Sequence, residues 1–293
     1  MRSELSRRVA VAAVGIPFAL AVLYLGGWPL ALVLAGIAAA AATELYRLAR
    51  QRGARPFTAS GAILAAVPVL LALALEAPGD AAAWSWRVFL AASLIATAVA
   101  IFRRGVEGAP LAAAAVTVFG ALLTGGSLAH ALYLRQMPVA VFAAGADRWV
   151  GPALLLFPLI LTWLSDTTAY FGGRRFGRHK LIPVVSPGKT VEGAVAGVLG
   201  TVVTGAVYAH FVFDAWLGLP LGAALGAGIG LIVSPVAQLG DLAESLLKRE
   251  AGVKDSGTLL PGHGGVLDRF DSLFFTIPTT YWLLAIVLHV GAG

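Results

Sequence analysis

An all-α, polytopic integral membrane protein is the fold class that this sequence predicts, and three observations predict it. Hydrophobic residues fill 59% of the 293 positions and charged residues only 12%, against roughly 45–50% and about 25% in soluble globules. Mean hydropathy is +0.86. The apolar residues fall in runs of about 20, the length that crosses a bilayer core.

The first run, 9 to 25, follows Arg2, Arg7 and Arg8 and has the look of a signal peptide. Further apolar runs follow at once, so it reads as a retained first helix. The others cover 29–46, 60–76, 84–102, 110–133, 151–171, 193–213, 217–237 and 272–291. About nine spans are therefore expected, with Pro17, Pro68 and Pro158 as places to bend. If the N-terminus is cytoplasmic, 18 of the 21 basic residues fall in inside segments and only Arg87, Arg135 and Arg148 lie outside, which satisfies the positive-inside rule.

Composition also excludes. With no cysteine, disulfides, thiolate metal sites and cysteine nucleophiles are ruled out, leaving oxygen and imidazole donors. The net charge of +6 is accounted for by arginines flanking the spans, so no nucleic-acid partner is read from it. No internal repeat is evident, which disfavours an inverted-repeat transporter. The chain reads as one membrane domain, 1–293. Residues 1–150 form scaffold helices, and 151–293 carry nine of the 15 acids, all four lysines and the long inside loops.

Charge concentrates in Gln238 to Ser272, which holds ten of the 36 charged residues. Such a cluster in an apolar chain must be solvated, paired or bound to something charged. At about 100° per residue, Asp241, Ser245 and Lys248 share one narrow helical arc, with Glu244 beside it. Considered alone, this arc reads as a solvated face with pairs such as Glu244–Lys248. Gly262, His263, Gly264 and Gly265 follow Pro261, and such glycines let backbone N–H groups approach an anion. Asp268 and Asp271, three apart at the start of the last span, share a face. Paired carboxylates there suit Mg²⁺, which takes oxygen ligands and completes its shell with water and substrate phosphates. Lys254, Asp255, His263 and Arg269 strengthen a phosphate and metal reading over simple helix-terminus stabilisation.

A second inside loop points the same way. Ser165 and Asp166 close the sixth span, where an acid is costly unless used or wet. After Arg174, Arg175, Arg178 and Lys180 comes Ser186-Pro-Gly-Lys189-Thr190, a short turn placing a lysine and hydroxyls at a helix N-terminus, where phosphate binds well. It is not a P-loop, because the first glycine and the preceding strand are missing. His130, His179, His210 and His289 show no metal-ligand spacing.

The string from Ser245 to Ser272, with its Ser-x-x-Lys-Arg start, Lys-Asp, and His-Gly-Gly-x-x-Asp-Arg-x-Asp end, resembles the signature of the CDP-diacylglycerol synthases, or phosphatidate cytidylyltransferases. Ser165-Asp166, the basic run and Ser186-Pro-Gly-Lys-Thr are similar to that family too. The resemblance implies that CTP and phosphatidate, a membrane lipid, give CDP-diacylglycerol and pyrophosphate with Mg²⁺. It implies metal ligation by Asp241 and Asp268, supported by Asp271 and Asp166. It also implies phosphate contacts from Lys189, Lys248, Arg249, Lys254 and Arg269, with Ser186, Ser245, Gly262, Gly264 and Gly265 lining the substrate site, and with Asp255 and His263 among the catalytic groups. The expected setting is a bacterial plasma membrane with the active site at its cytoplasmic face, and a homodimer is the assembly expected, if any. Two rival readings are a CTP-dependent polyprenol or phytol kinase and an ion or anionic-solute transporter using Asp166 and Asp241 as a relay.

Overall fold

Apolar segments without interior breaks wind into helices, because a helix satisfies every backbone N–H and C=O without water. The computed structural model of the protein describes residues 2–75, 78–139, 145–259 and 264–288. Its helices are α1 (Arg2–Leu25), α2 (Gly27–Arg50), α3 (Thr58–Ala74), α4 (Pro78–Arg103), α5 (Pro110–Ala121), α6 (Ser127–Arg135), α7 (Asp147–Phe176), α8 (Val191–Tyr208), α9 (Ala223–Glu250), α10 (Leu267–Phe270) and α11 (Leu273–Val287). A π-helical turn, Leu122–Gly126, joins α5 to α6, and another, Ala209–Trp216, extends α8. Strands β1 (Lys180–Ile182) and β2 (Ser186–Thr190) form the sheet, an antiparallel pair with Lys180 opposite Thr190 and Ile182 opposite Ser186.

The protein is thus an all-α membrane protein with one small hairpin. Among the described residues, seven helical segments are long and apolar enough to cross a membrane, and Ala13–Leu25 and Thr58–Ala74 are shorter apolar helices. The run expected at 217–237 begins late, at Ala223. Gly218 and Gly222 have positive φ, and Asp214 Oδ1 accepts the Leu221 and Gly222 N–H groups at 2.9 and 3.0 Å. A turn fixed by glycines and an aspartate therefore occupies the first residues of that run.

The chain divides into two compact units, one of Met1–Leu132 with Leu247–Phe270 and the other of Tyr133–Leu246 with Asp271–Gly293. In the first, α2 packs on α3. The buried Tyr46 hydroxyl donates to the Thr117 carbonyl at 2.6 Å, and a Cβ at Gly61 would lie 2.5 Å from that hydroxyl. Only glycine lets the ring in there. In the second unit α7 packs on α8, and hydroxyls bridge helices: Ser165 with Ser234 at 2.7 Å and Thr162 with Thr276 at 3.0 Å. Each such bond contributes about 0.6 kcal/mol in a bilayer. Phe157, Tyr208 and Phe213 stack with centroids 5.0 to 5.1 Å apart.

Candidate active site

In the second unit a cavity of about 570 Å³ is lined by Asp166, Tyr170, Arg174, Ser186, Lys189 and Asp241, among others. Asp166, Tyr170 and Arg174 are successive i, i+4 positions on α7, so helical periodicity alone puts them on one face. Ser186 and Lys189 come from β2. That strand exists because the backbone between α7 and α8 is pinned at both ends. The Glu192 carboxylate accepts the N–H groups of Arg178 and His179 at 3.0 and 3.2 Å and meets His179 Nδ1 at 2.6 Å. At the tip, Lys180 Nζ donates to the Pro187 carbonyl at 2.7 Å. His179 and Lys180 are thereby structural, holding the hairpin that presents Lys189.

Thr190 then caps α8, its hydroxyl accepting the Gly193 N–H at 3.1 Å. The residue carrying the lysine sits just before a helix N-terminus, where backbone N–H groups and the helix dipole favour an anion. Lys189 Nζ pairs with Asp241 Oδ2 at 2.7 Å, and the two side chains are 26% and 32% exposed. Asp241 also accepts from Ser245 at 3.3 Å, one turn along α9. Asp166 feels the carboxylates of Asp241 and Asp271 and the ammonium of Lys189. Three acids and a lysine therefore share one electrostatic neighbourhood, and of them Asp166, Asp241 and Lys189 line the cavity.

A different arrangement occupies the first unit. Lys248 Nζ meets Asp268 Oδ1 at 2.7 Å with the side chains only 12% and 8% exposed. Asp268 Oδ2 accepts the N–H groups of Ser256 and Gly265 at 3.0 and 2.8 Å and lies 3.0 Å from Ser256 Oγ. A carboxylate offers about four acceptor positions, so protein donors fill those of Asp268. The Gly265 N–H, expected to face phosphate, is committed to Asp268.

Glu44 is the residue that the sequence did not reveal. It lies on α2, among helices that composition assigns to plain scaffold, and is 1% exposed. Its Oε2 accepts the Leu267 N–H at 2.8 Å and lies 3.0 Å from Ser256 Oγ. A Cβ on Gly257 or Gly265 would come within 2.8 Å of its carboxyl carbon, so both glycines make room for it. The available signal was a single acid inside Ala38–Tyr46, where a charge is costly without a partner.

The other expected residues are scattered. Arg249, Lys254, Asp255 and Arg269 are exposed, and Arg249 Nη1 donates to the Val253 carbonyl at 3.2 Å. Gly264 adopts φ 80°. Gly262 and His263 lie outside the described residues. Glu244 is 4% exposed, so it is not part of a solvated face. Among the described residues no three His, Asp or Glu side chains form a ready metal cage.

Residues 6–287 match the family model described as Cytidylyltransferase family. The chain belongs to that family. The cytidylyltransferase match takes in both units, so Glu44 and Asp166 both lie inside it. A phosphatidate cytidylyltransferase of Synechocystis sp. is 32% identical over 97% of this chain and 98% of its own length. Phosphatidate cytidylyltransferases of Staphylococcus aureus and Staphylococcus epidermidis are 44% and 46% identical over 140 residues. That stretch is 47% of this chain and spans about half, 51%, of the staphylococcal relatives.

Proposed function

We propose that this cytidylyltransferase-family protein transfers the cytidylyl group of CTP to phosphatidate, giving CDP-diacylglycerol and pyrophosphate. The observation that carries the reading is the solvent-accessible Lys189–Asp241 pair beside Asp166, set before the N-terminus of α8 on the cavity wall. An oxygen of the lipid phosphate forms the new bond to the α-phosphorus of CTP. The bond from that phosphorus to the bridging oxygen breaks, and pyrophosphate leaves with its electron pair. The nucleophile needs no strong base, since a phosphate monoester has its second pKa near 6 and is largely ionised at pH 7. What the protein must supply is alignment and neutralisation of charge.

Lys189 and Arg174 are placed to hold phosphate oxygens, with Ser186 and the α8 N-terminus as further donors. The donor set suits Mg²⁺: hard carboxylate oxygens, no thiolate, and too few ligands for a closed cage, as expected of an ion that keeps its waters and shares substrate phosphates. Asp241, Asp166 and Asp271 would hold it, and the ion would neutralise charge on the triphosphate. Lys248 and Asp268 hold Ser256 and Gly265, while Arg249, Lys254 and Arg269 are exposed cations for phosphate contact, and Asp255 and His263 are assigned to catalysis beside them.

Incubation with phosphatidate and CTP labelled at the α-phosphorus tests this. Label in lipid with release of pyrophosphate, abolished by EDTA and restored by Mg²⁺, supports it. CDP as product would instead identify a lipid kinase, and solute flux without nucleotide consumption a transporter. The cytoplasmic face of a bacterial plasma membrane is the proposed setting. Because the chain has no cysteine, Thr258→Cys offers one label site, and labelling from outside intact cells would overturn that orientation. The homodimer is tested by light scattering in detergent, where a single-chain mass would exclude it.

A further inference from the structure

Within the first unit, the end of α2, the residues that follow it and the residue after α4 line an open cavity of about 480 Å³: Arg50, Gly53, Ala54, Arg55, Pro56 and Arg104. Three guanidiniums face it and no carboxylate does. Arg50 and Arg104 are oriented by neutral partners. Arg50 Nη2 donates to the Thr58 hydroxyl. Arg104 Nε donates to the Arg55 carbonyl at 3.0 Å, and its guanidinium lies 4.6 Å above the Phe57 ring. Among the described residues no carboxylate pairs with any of the three positive charges. Planar guanidiniums, two of them pre-oriented, match the oxygens of a phosphate.

Topology alone accounts for arginines at span ends, but not for their convergence on one cavity, nor for what adjoins it. Ala54 also lines a second cavity, of about 270 Å³, whose wall is mostly apolar, with Leu45, Leu48, Val116, Phe119 and Leu247, and carries Arg52 and Glu250 at its polar side. A basic cavity next to a mostly apolar one, at the end of membrane-crossing helices, has the polarity of a phospholipid: phosphate in one, acyl carbon along the leucines and Phe119 of the other.

We propose that Arg50, Arg55 and Arg104 bind the phosphate of an anionic phospholipid, with an acyl segment against Leu45, Leu48 and Phe119. None of these residues is among those assigned to CTP, and the proposal does not depend on the activity proposed above. It would make the protein sense the anionic lipid content of its own membrane.

The probe is phosphatidylglycerol, with phosphatidylcholine and inorganic phosphate as controls, added to the detergent-solubilised full chain and followed by native mass spectrometry and thermal melting. Phosphatidylglycerol should bind and raise the melting temperature, and phosphatidylcholine should not. Arg50→Gln/Arg55→Gln should weaken binding about 30-fold, the loss expected from removing two headgroup cations. Arg103→Gln removes one charge from the same end of α4 but outside the cavity, and should weaken it less than threefold. Wild-type affinity in the double variant would overturn the site. So would an Arg103→Gln loss equal to that of Arg55→Gln alone, since diffuse attraction would then explain it. Equal stabilisation by inorganic phosphate would overturn the lipid assignment in favour of a soluble anion.

Discussion

Two lysine–aspartate pairs in this protein have the same length and different surroundings. Lys189–Asp241 and Lys248–Asp268 both close at 2.7 Å. The first is about a quarter to a third exposed, lines a cavity, and leaves Asp241 with one further weak donor, Ser245. The second is nearly enclosed and its aspartate takes three more bonds from Ser256 and Gly265. An exposed pair stabilises a fold by about 0–1 kcal/mol and exchanges partners readily. Breaking an enclosed one strands a charge, at about 3–5 kcal/mol. The same residue types therefore form an exchangeable pair in one place and a fixed brace in the other.

The largest effect should fall on Asp241. Asp241→Asn removes charge at nearly constant volume, and CTP-dependent pyrophosphate release should fall by about 10³-fold. The melting temperature should stay within about 2 °C of wild type. A melt lowered as far as that of an Asp268 variant would erase the distinction between the pairs.

Asp268→Asn should lose activity and stability together. The amide carries two donors where Asp268 accepts from Lys248, Ser256 and Gly265, so at least one buried donor loses its acceptor. A cost of about 2–4 kcal/mol follows, less than for a wholly buried pair because Lys248 keeps 12% exposure. A melt at the wild-type temperature with activity gone would move Asp268 into the same class as Asp241.

Glu44 extends the braced region to a helix far away in sequence. Glu44→Ala should cost about 2–3 kcal/mol through two lost acceptor bonds and a small cavity, and should raise hydrogen exchange across 254–259. Glu44→Gln should recover part of this. With its amide oxygen where Oε2 lies, it can still accept both the Leu267 N–H and the Ser256 hydroxyl. Unchanged exchange in Glu44→Ala would remove Glu44 from the brace.

The spans were legible because burial in lipid demands long apolar runs, and the helix face of Asp241 and Ser245 was legible because 100° periodicity is local. Asp166, Lys189 and Asp241 were each singled out from sequence, yet their convergence on one cavity needed the hairpin. That hairpin was read as a turn: Ser186-Pro-Gly-Lys-Thr has poor strand propensity, and Glu192 and Lys180 impose the pairing from outside the strand. Glu44 was hidden for a similar reason. Its partners Ser256 and Leu267 are over 200 positions away, and no local pattern reports so distant a bond.

The smallest effect is expected where the exposed pair meets its scaffold. Thr190 caps α8 and packs beside Gly173 and Gly177, where a Cβ would lie 2.9 Å from its Oγ1. Thr190→Ala removes the acceptor for the Gly193 N–H at a helix start that water can reach, so the loss should be about 1 kcal/mol. Thr190→Ser keeps the oxygen and should recover most of it. Lys189 precedes the cap by one residue, so fraying the first turn should loosen its approach to CTP and raise the KM a few-fold while kcat holds. A kcat loss as large as that of Asp241→Asn would mean that the α8 N-terminus contacts the reacting phosphates themselves, and that the exposed region is braced as firmly as the enclosed one.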